Sequence, residues 1–595
     1  MTSNTTPDPV AMSRTLATIA EKSQRLVSDF LQHQVSDGAL GMTDTQAISR
    51  AFMDMTQRLM TNPTQLVEAQ LAFWQGHMDL WQRSAASWLG QQPGEPAVAP
   101  ERSDRRFRHE DWQQNFVFDY IKQSYLLTAR WLQSTVGRIE GLDERSRRKL
   151  DFYTRQFVDA LSPSNFPATN PEVLRATLDT GGGNLLKGLQ HLLEDLERGK
   201  GRLSIRQTDL EAFQPGVNVA ITPGKVIYQN DLMQLLQYVP TTEEVYRRPL
   251  IVVPPWINKF YILDLREQNS FIKWWVDQGF TVFVISWVNP DTRLAEKNFE
   301  DYLREGTLAA LEAVEQATGE REVNMAGYCL GGTLLACTAG YLAARGDDRL
   351  QSCTFFATML DFECPGELEV FIDEEELTAL ERRMREKGYL EGSEMATTFN
   401  MLRANDLIWS FFVNNYLLGK EPFPFDLLYW NSDSTRMPAA MHSFYLRNMY
   451  QQNLLKEPGG ITLLGKPIDL TRITQPIYSV AAVDDHIAPW TSVYSGARLF
   501  ASPVRFVLGG SGHIAGIVNP PAAGKYHYWT HDTLSEDPET WFRAAERHDG
   551  SWWADWHAWV EPLSGDKVAA RTPGDGRLKP IEDAPGSYVR QRIDS

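Results

Sequence analysis

The spacing of apolar residues divides the chain into two parts with different periods. In the N-terminal third, apolar residues recur every three or four positions, which is the period of an amphipathic helix. This spacing is found at Met12, Leu16, Ile19, Leu26, Val27, Phe30 and Leu31, and again at Phe73, Met78, Trp81 and Trp88. It resumes from Trp112 to Ala160 and ends at the prolines of residues 162–171. The sequence therefore predicts a helical N-terminal region.

From about residue 220 the pattern changes to short apolar runs that alternate with helical stretches. Six runs have this character: residues 250–253, 280–286, 323–326, 353–359, 477–483 and 504–508. Continuous apolar runs are expected of strands that are covered on both faces, and strands alternating with helices assemble into a parallel sheet. We therefore predict an α/β fold with a mostly parallel, doubly wound sheet.

Composition marks the boundaries between these parts. Residues 90–103 (GQQPGEPAVAPERS) have the proline, glycine and polar content of a linker. A long stretch without the strand–helix alternation separates the fourth apolar run from the fifth, and we interpret it as a cap over the functional edge of the sheet. We predict a mobile helical region with its linker, a helical domain, a two-segment core and the cap: residues 1–103, 104–219, 220–361 with 471–595, and 362–470, respectively.

Charge and composition narrow the function classes. Among the 595 residues, Asp+Glu total 76 and Lys+Arg total 58, and the net charge of −18 disfavours a nucleic-acid partner. Four cysteines without paired spacing exclude a disulfide scaffold. The first residues lack the basic and apolar segments of a signal peptide, so we predict a cytoplasmic protein. Aromatic residues make up 11%, more than a core requires, and we expect part of this surplus to line an apolar channel.

One uncharged segment, residues 323–344, is long enough to resemble a membrane span. Its glycines, its asparagine and its charged flanks favour a buried strand, a tight turn and a buried helix instead. Cys329 lies at that turn, within residues 327–331 (GYCLG), which match the G-x-S-x-G nucleophile elbow with sulfur in place of oxygen. The alternative, a buried small hydrophobic residue in a tight turn, is better suited to the other cysteines, Cys337, Cys353 and Cys364.

Candidate partners for Cys329 follow later strands in the order nucleophile, acid, base. His513 lies on a glycine-rich loop after the last run and is the candidate general base. Asp485 is the preferred orienting acid after the run 477–483, and Asp484 is the alternative because spacing alone does not separate them. Three such groups in this order indicate the α/β-hydrolase arrangement.

Main-chain N–H groups are expected to bind the oxyanion. Leu330 follows the nucleophile at the helix start and is the first candidate donor. The second donor should come from the loop after residues 250–253, where two prolines cannot donate, which leaves Trp256 or Ile257. We choose Ile257. No metal-binding motif and no cofactor fingerprint accompanies the predicted strands, so we predict neither a metal nor a cofactor.

Cysteine in place of serine bears on the reaction. A thiolate that attacks a thioester forms another thioester, so the acyl group stays activated for a second acceptor. The sulfur therefore indicates acyl transfer from an acyl-CoA or a similar donor rather than hydrolysis.

Several stretches that include these candidate residues resemble a known family, the polyhydroxyalkanoate synthases, and specifically their long single-subunit class I type. The matching stretches are residues 104–107 (DRRF), 162–171 (SPSNFPATNP), 254–265 (PPWINKFYILDL), 286–291 (SWVNPD), 327–332 (GYCLGG), 429–435 (YWNSDST), 484–490 (DDHIAPW) and 511–521 (SGHIAGIVNPP). They extend over most of the chain after about residue 100, whereas the first hundred residues match only in helical character.

The resemblance implies an acyltransferase that polymerises short (R)-3-hydroxyacyl-CoA with release of CoA. It assigns Cys329 as the acylated nucleophile, Asp485 as the acid and His513 as the base. It also implies a homodimer that associates with the growing polyester chain, the granule surface and phasin-type granule proteins. Which of His513 and Asp485 activates the incoming hydroxyl stays open. The alternatives are a Cys-dependent hydrolase, such as a thioesterase or a polyester depolymerase, and a non-catalytic granule-coating protein.

Overall fold

The structure, a computed structural model, describes residues 53, 63–88, 96–101, 104–139, 141–201 and 203–593. The chain forms two compact units. We call the first the helical unit; it contains the described residues up to Asp209 together with Thr397–Phe423. We call the second the sheet unit; it contains Leu210–Ala396 and the described residues from Pro424 onward. The helical pattern predicted between Met12 and Leu31 lies outside the described residues.

The helical unit confirms the helices predicted between Phe73 and Ala160. Its N-terminal segment forms α1 (Pro63–Trp88), α2 (Asp111–Gln114), α3 (Phe116–Gly137), α4 (Glu144–Ala160), α5 (Pro171–Thr180) and α6 (Gly183–Arg198). Side-chain caps start several of these helices: Asn115 accepts from Val117 N–H, and Asp143 accepts from Ser146 N–H. Two π-helical turns, Asn405–Trp409 and Phe412–Leu417, belong to the same unit.

Helix α1 packs on α3 through one face only. The Trp131 indole N–H donates to Ala69 O at 2.8 Å, and the rings of Phe73 and Trp131 lie 5.0 Å apart. The remaining face carries a row of large apolar side chains, each more than half exposed: Val67, Leu71, Trp74, Met78 and Trp81. The helical unit thus leaves an apolar stripe in contact with solvent, which we call the α1 stripe.

The sheet unit contains β1 (Gly224–Gln229), β2 (Met233–Tyr238), β3 (Glu244–Tyr246), β4 (Leu250–Val253), β5 (Val282–Trp287), β6 (Val323–Tyr328), β7 (Leu350–Phe356), β8 (Tyr389–Leu390), β9 (Met437–Pro438), β10 (Ile461–Leu463), β11 (Lys466–Ile468), β12 (Ile477–Ala482), β13 (Val504–Gly509), β14 (His527–Thr530), β15 (Glu546–Asp549), β16 (Lys567–Ala569) and β17 (Glu582–Asp583). Eleven strands form one sheet in the order β15-β14-β13-β12-β7-β6-β4-β5-β2-β1-β17. The other six strands form two-stranded pairs.

The centre of this sheet confirms the predicted fold class. The six predicted runs correspond to β4, β5, β6, β7, β12 and β13, and these strands lie side by side and parallel. The sequence did not predict the antiparallel strands that extend the sheet on both sides, β2, β1 and β17 on one side and β14 and β15 on the other.

Most of the remaining helices belong to the sheet unit, and the helix Gly392–Leu402 begins in it and ends in the helical unit. They are α7 (Phe271–Asp277), α8 (Phe299–Asp301), α9 (Ala309–Thr318), α10 (Leu330–Arg345), α11 (Glu374–Lys387), α12 (Gly392–Leu402), α13 (Asp426–Ser432), α14 (Ala439–Tyr445), α15 (Trp490–Ala497), α16 (Pro538–Ala544) and α17 (Trp553–Val560). The segment 323–344 is strand β6, a turn and helix α10, as predicted. Among the described residues, no helix combines the length and apolarity needed to cross a membrane.

The C-terminal tryptophans belong to the core of the sheet unit. Trp552, Trp553 and Trp556 are at most 1% exposed, and the Trp553 ring stacks on Phe271 with centroids 3.8 Å apart. This part of the aromatic surplus therefore forms ordinary core packing and does not line a channel.

Candidate active site

Cys329 is the single residue between strand β6 and helix α10. Its backbone has φ 51° and ψ −118°, a region that side-chain-bearing residues rarely adopt. Hydrogen bonds hold this conformation on both sides: Cys329 N–H donates to Phe356 O at 2.9 Å, and Cys329 O accepts from Gly332 N–H at 2.9 Å. A strained turn fixed in this way is typical of a nucleophile elbow.

The glycines around Cys329 are required by close backbone approach. A Cβ added at Gly331 would lie 2.0 Å from Val253 O on the neighbouring strand. One added at Gly327 would lie 2.5 Å from the Cα of Gly332 on the helix. A side chain at either position would therefore collide with the neighbouring strand or the helix, and larger residues there would open the elbow.

Asp485 and His513 meet at the carboxyl ends of β12 and β13. His513 Nδ1 lies 2.6 Å from Asp485 Oδ2. The other carboxylate oxygen, Oδ1, accepts from the N–H groups of Ile487 and Ala488 at 2.9 Å each, so the acid cannot rotate freely. Asp484 is exposed, and the structure pairs the preferred acid, Asp485, with the imidazole.

His513 also interacts with the nucleophile. Its Nδ1 atom is engaged by Asp485, which leaves Nε2 available on the side of the ring that interacts electrostatically with Cys329. Burial lowers the pKa of His513, but the charges of Asp485 and Cys329 and the hydrogen bonds of the ring outweigh burial, so the pKa is raised well above its ordinary value. The imidazole is thus a strong base that lies between an acid and a thiol.

Tyr328, which precedes the nucleophile, has a positioning role that its sequence context did not indicate. Its hydroxyl donates to His513 O at 2.9 Å, and its ring stacks on the imidazole with centroids 5.5 Å apart. Tyr328 is 1% exposed. Because it belongs to β6, it fixes the loop of His513 relative to Cys329.

The two candidate oxyanion donors lie on separate elements. No described residue accepts a hydrogen bond from Leu330 N–H at the start of α10. The N–H groups of Trp256 and Ile257 are likewise without an acceptor in the described part of the chain, whereas their carbonyls accept from the hydroxyl and the N–H of Thr435. The choice between Trp256 and Ile257 stays a prediction.

A buried ion pair anchors the loop that carries Ile257, and sequence analysis did not predict it. Lys259 Nζ lies 2.9 Å from Asp433 Oδ1, and both side chains are at most 2% exposed. The ammonium also donates to Val589 O and Gln591 O at 2.7 Å each, which attaches the C-terminal segment to this loop. Trp430 donates from its indole N–H to Lys259 O at 2.7 Å. The only signal in the sequence was that these residues lie in motif stretches.

The other three cysteines differ from Cys329. Cys337 and Cys353 are fully buried, and burial raises the pKa of each thiol to about 12. Cys364 is exposed in the loop after β7, so the expectation of a buried small residue is wrong there. Within the described residues, no cluster of three or more His, Cys, Asp or Glu side chains is placed to hold a metal ion.

Two family models match the chain. The model for the N-terminus of poly-beta-hydroxybutyrate polymerase matches residues 103–275, and the model for the alpha/beta hydrolase fold matches residues 260–520.

Full-length relatives agree with these models. The chain is 50% identical to the poly(3-hydroxyalkanoate) polymerase subunit PhaC of Rhizobium meliloti, over 98% of this chain and 96% of that protein. It is 51% identical to the poly(3-hydroxyalkanoate) polymerase of Methylorubrum extorquens, over 93% of this chain and 91% of that protein. The corresponding subunit of Cupriavidus necator is 42% identical, over 89% of each chain.

Proposed function

Because the chain belongs to the poly(3-hydroxyalkanoate) polymerase family, and so is an acyltransferase that makes polyhydroxyalkanoate, we propose that it takes (R)-3-hydroxyacyl groups from CoA onto Cys329. The observation that supports this proposal is the array of Asp485, His513 and Cys329 at a strained elbow. 3-Hydroxybutyryl-CoA is the proposed monomer donor, since the matching N-terminal family is described as a poly-beta-hydroxybutyrate polymerase.

The first half-reaction is acylation of the thiol. The Cys329 Sγ proton passes to His513 Nε2 and gives a thiolate–imidazolium pair, in keeping with the raised pKa of His513. The thiolate attacks the thioester carbonyl carbon, which forms the new C–S bond. The carbonyl oxygen becomes an oxyanion, for which Leu330 N–H and one N–H of the loop after β4 are the proposed donors. When this tetrahedral intermediate collapses, the C–S bond to CoA breaks, and the imidazolium gives its proton to the CoA sulfur.

The second half-reaction is chain extension. A 3-hydroxyl group loses its proton to a base and attacks the acyl carbon on Cys329; the ester C–O bond forms and the Cys329 thiolate leaves. We propose His513 as this base, because both oxygens of Asp485 are already hydrogen-bonded and its side chain has no exposed surface. Asp485 then orients the imidazole and stabilises its cation.

We also propose that the protein acts as a homodimer and associates with the surface of its polyester product and with phasin-type proteins. The α1 stripe supports the granule association, because Trp74 and Trp81 are 65% and 60% exposed. A chain with Trp74→Gln and Trp81→Gln should be released from isolated granules at a lower detergent concentration than the wild type. Equal retention of the two proteins would refute a role for this stripe.

The enzyme assignment is tested by replacing the nucleophile. Cys329→Ala should lower the rate of CoA release from 3-hydroxybutyryl-CoA by at least about 10⁴-fold, and Cys329→Ser should retain a trace at most. Cys364→Ser, at the exposed cysteine, is the matched control and should keep the wild-type rate. Thiol release is followed with a chromogenic disulfide, and the product is tested for polymer.

Two results would contradict the proposal. Polymer formation by Cys329→Ala as the sole synthase would remove the covalent step. Release of one free hydroxy acid per CoA by the wild type, without polymer, would identify a hydrolase instead.

A further inference from the structure

One residue of the predicted cap, Thr435, binds two successive carbonyl groups of the loop after β4. Its hydroxyl donates to Trp256 O at 2.5 Å, and its N–H donates to Ile257 O at 3.3 Å. Thr435 is 2% exposed and Trp256 is 1% exposed, so the hydroxyl bond is shielded from water. A buried carbonyl that loses its donor is left unsatisfied, which makes this bond costly to break. Thr435 thus holds the peptide group between Trp256 and Ile257.

Other contacts hold Thr435 against this loop independently of its hydroxyl. Asn258 and Ser434 form an antiparallel bridge beside it. One residue further along, Lys259 Nζ lies 2.9 Å from Asp433 Oδ1. The two chain segments should therefore stay side by side when only the hydroxyl of Thr435 is removed.

The same loop starts in main-chain contact with the nucleophile elbow. A Cβ added at Gly331 would lie 2.0 Å from Val253 O and 2.7 Å from Pro254 O. Leu330, the first candidate oxyanion donor, lies between Cys329 and Gly331. The loop after β4 and the start of α10 thus approach each other next to the residue that carries the thiol.

The hydroxyl bond gives one N–H group of this loop a fixed direction. The Trp256–Ile257 peptide is trans, so its C=O and N–H point in opposite directions. Because Trp256 O points at Thr435, Ile257 N–H points away from it. No described residue accepts a hydrogen bond from this N–H, so it is open to a ligand. The Trp256 N–H belongs to the preceding peptide group, which these bonds do not orient.

A fixed direction is what an oxyanion donor requires. A donor stabilises the transition state only if it lies about 2.7–3.1 Å from the position that the oxyanion will occupy, and it must be there before the charge develops. A peptide group that can rotate exchanges its N–H for its carbonyl, which repels an oxyanion. The hydrogen bond on the carbonyl of such a peptide therefore acts on catalysis through the N–H at its other side.

We propose that the Thr435 hydroxyl orients the Trp256–Ile257 peptide so that Ile257 N–H donates to the oxyanion formed at Cys329. This inference rests on the proposed acylation of Cys329 and selects Ile257 over Trp256 as the second donor. Thr435 is then a positioning residue, and the predicted cap takes part in the chemistry through its contact with the main chain of the loop.

The variants remove or keep the hydroxyl with little change in shape. Thr435→Val should lower kcat for CoA release from 3-hydroxybutyryl-CoA about tenfold and change KM by no more than about twofold, because both half-reactions pass through an oxyanion. Thr435→Ser keeps a hydroxyl and should stay within about threefold of the wild-type kcat. Thr338→Val is the matched control: the Thr338 hydroxyl is also buried and donates to Leu334 O at 2.8 Å, and its loss should leave kcat unchanged.

A second reaction at the same thiol separates positioning from general damage. Iodoacetamide forms an S–C bond with the Cys329 thiolate while its C–I bond breaks and iodide leaves, so no oxyanion develops. Thr435→Val should therefore lower the single-turnover rate of acylation by 3-hydroxybutyryl-CoA about tenfold and leave alkylation of Cys329 within about twofold of the wild type. Peptide mass spectrometry measures both adducts, with the exposed Cys364 as the internal reference for alkylation.

The outcomes keep this inference apart from the proposed function. Equal losses in acylation and alkylation, an unchanged kcat in Thr435→Val, or a loss in Thr435→Ser as large as in Thr435→Val would overturn the inference, while acylation of Cys329 still supported the proposed function. A wild-type chain whose Cys329 is alkylated but never acylated would overturn both. If Thr435→Val melts at a lower temperature than the wild type, Thr435→Ala is measured instead and should show the same ratio of the two rates.

Discussion

Two buried basic groups of the sheet unit, His513 and Lys259, lie in loops at the carboxyl ends of parallel strands, and their pKa values are shifted in opposite directions. His513 is 9% exposed and lies 2.6 Å from Asp485; Lys259 is 4% exposed and lies 2.9 Å from Asp433. Yet the pKa of His513 is raised, whereas that of Lys259 is lowered.

The second charged neighbour explains the difference. Burial lowers the pKa of both cations, and each carboxylate raises it. His513 has the charge of Cys329 as a second raising contribution, whereas Lys259 has the cation of Arg592 as a further lowering one. His513 therefore stays protonated to a higher pH than an ordinary histidine, whereas Lys259 loses its proton at a lower pH than an ordinary lysine.

The polar contacts of the two side chains differ in the same way. The Lys259 ammonium donates hydrogen bonds to Val589 O and Gln591 O and forms an ion pair with Asp433 Oδ1 at 2.9 Å, so it contacts three protein oxygens. In the His513 ring, Nδ1 contacts Asp485, and Nε2 is left for Cys329, whose Sγ is the atom proposed to react. We infer that the Lys259 pair fixes a loop and that the His513 pair moves protons.

Removal of the Asp485 carboxylate should have the largest effect on activity. A small effect would contradict the difference that we infer between the two pairs. Asp485→Asn keeps the size of the side chain but removes the charge that holds His513 as a cation, so we expect CoA release to fall about 10⁴-fold. Asp484→Asn, at the exposed neighbouring position, is the matched control and should stay within about twofold of wild type. The measurement is the steady-state rate with 3-hydroxybutyryl-CoA.

A loss of less than about tenfold in Asp485→Asn, with Asp484→Asn equally affected, would show that the His513 pair is structural in the same sense as the Lys259 pair.

The sequence predicted the parallel core and the catalytic candidates because both have local signatures. Strands such as β4 are buried on both faces and therefore read as continuous apolar runs, and 250–253 matched its bounds. The elbow is marked by five consecutive residues around Cys329, and strand ends place Asp485 and His513. In the structure His513 contacts Asp485 and not Asp484, and the role of Asp485 as the orienting acid stays a prediction.

The antiparallel edges had no such signature. Strand β15 is made of charged and polar residues, Glu546–Asp549, and becomes a strand only because β14 lies beside it. The Lys259 pair was not predictable either. Asp433 lies far from Lys259 in the sequence, and only the fold brings the two side chains together.

Removal of the structural cation should have the second-largest effect. Lys259→Met leaves Asp433 buried without its closest cation, and we expect the free energy of unfolding to fall by about 3–5 kcal/mol. Lys273→Met removes one partner of an exposed pair with Asp277 and is the control, with an expected change below about 1 kcal/mol. Urea unfolding followed by tryptophan fluorescence gives both values.

The double variant with Lys259→Met and Asp433→Leu replaces the pair by apolar side chains and should recover most of the loss. If Lys259→Met unfolds at the wild-type urea concentration but loses activity, then this pair is the functional one, and the comparison is wrong.

The smallest effect, and the finest test, is the pH dependence of stability. The folded pKa of His513 lies above its unfolded value of 6.5, so its stabilising contribution is complete below pH 6.5 and is lost as pH rises through the folded pKa. The folded pKa of Lys259 lies below 10.5, so its unfavourable charge is relieved as pH rises toward that value.

The stability difference between wild type and Asp485→Asn should therefore shrink above pH 6.5, whereas that between wild type and Lys259→Met should grow in the alkaline range. Each slope is limited to about 1.4 kcal/mol per pH unit, and urea unfolding at a series of pH values measures both. Slopes of the same sign would show that the two cations do not differ in the way their neighbours imply.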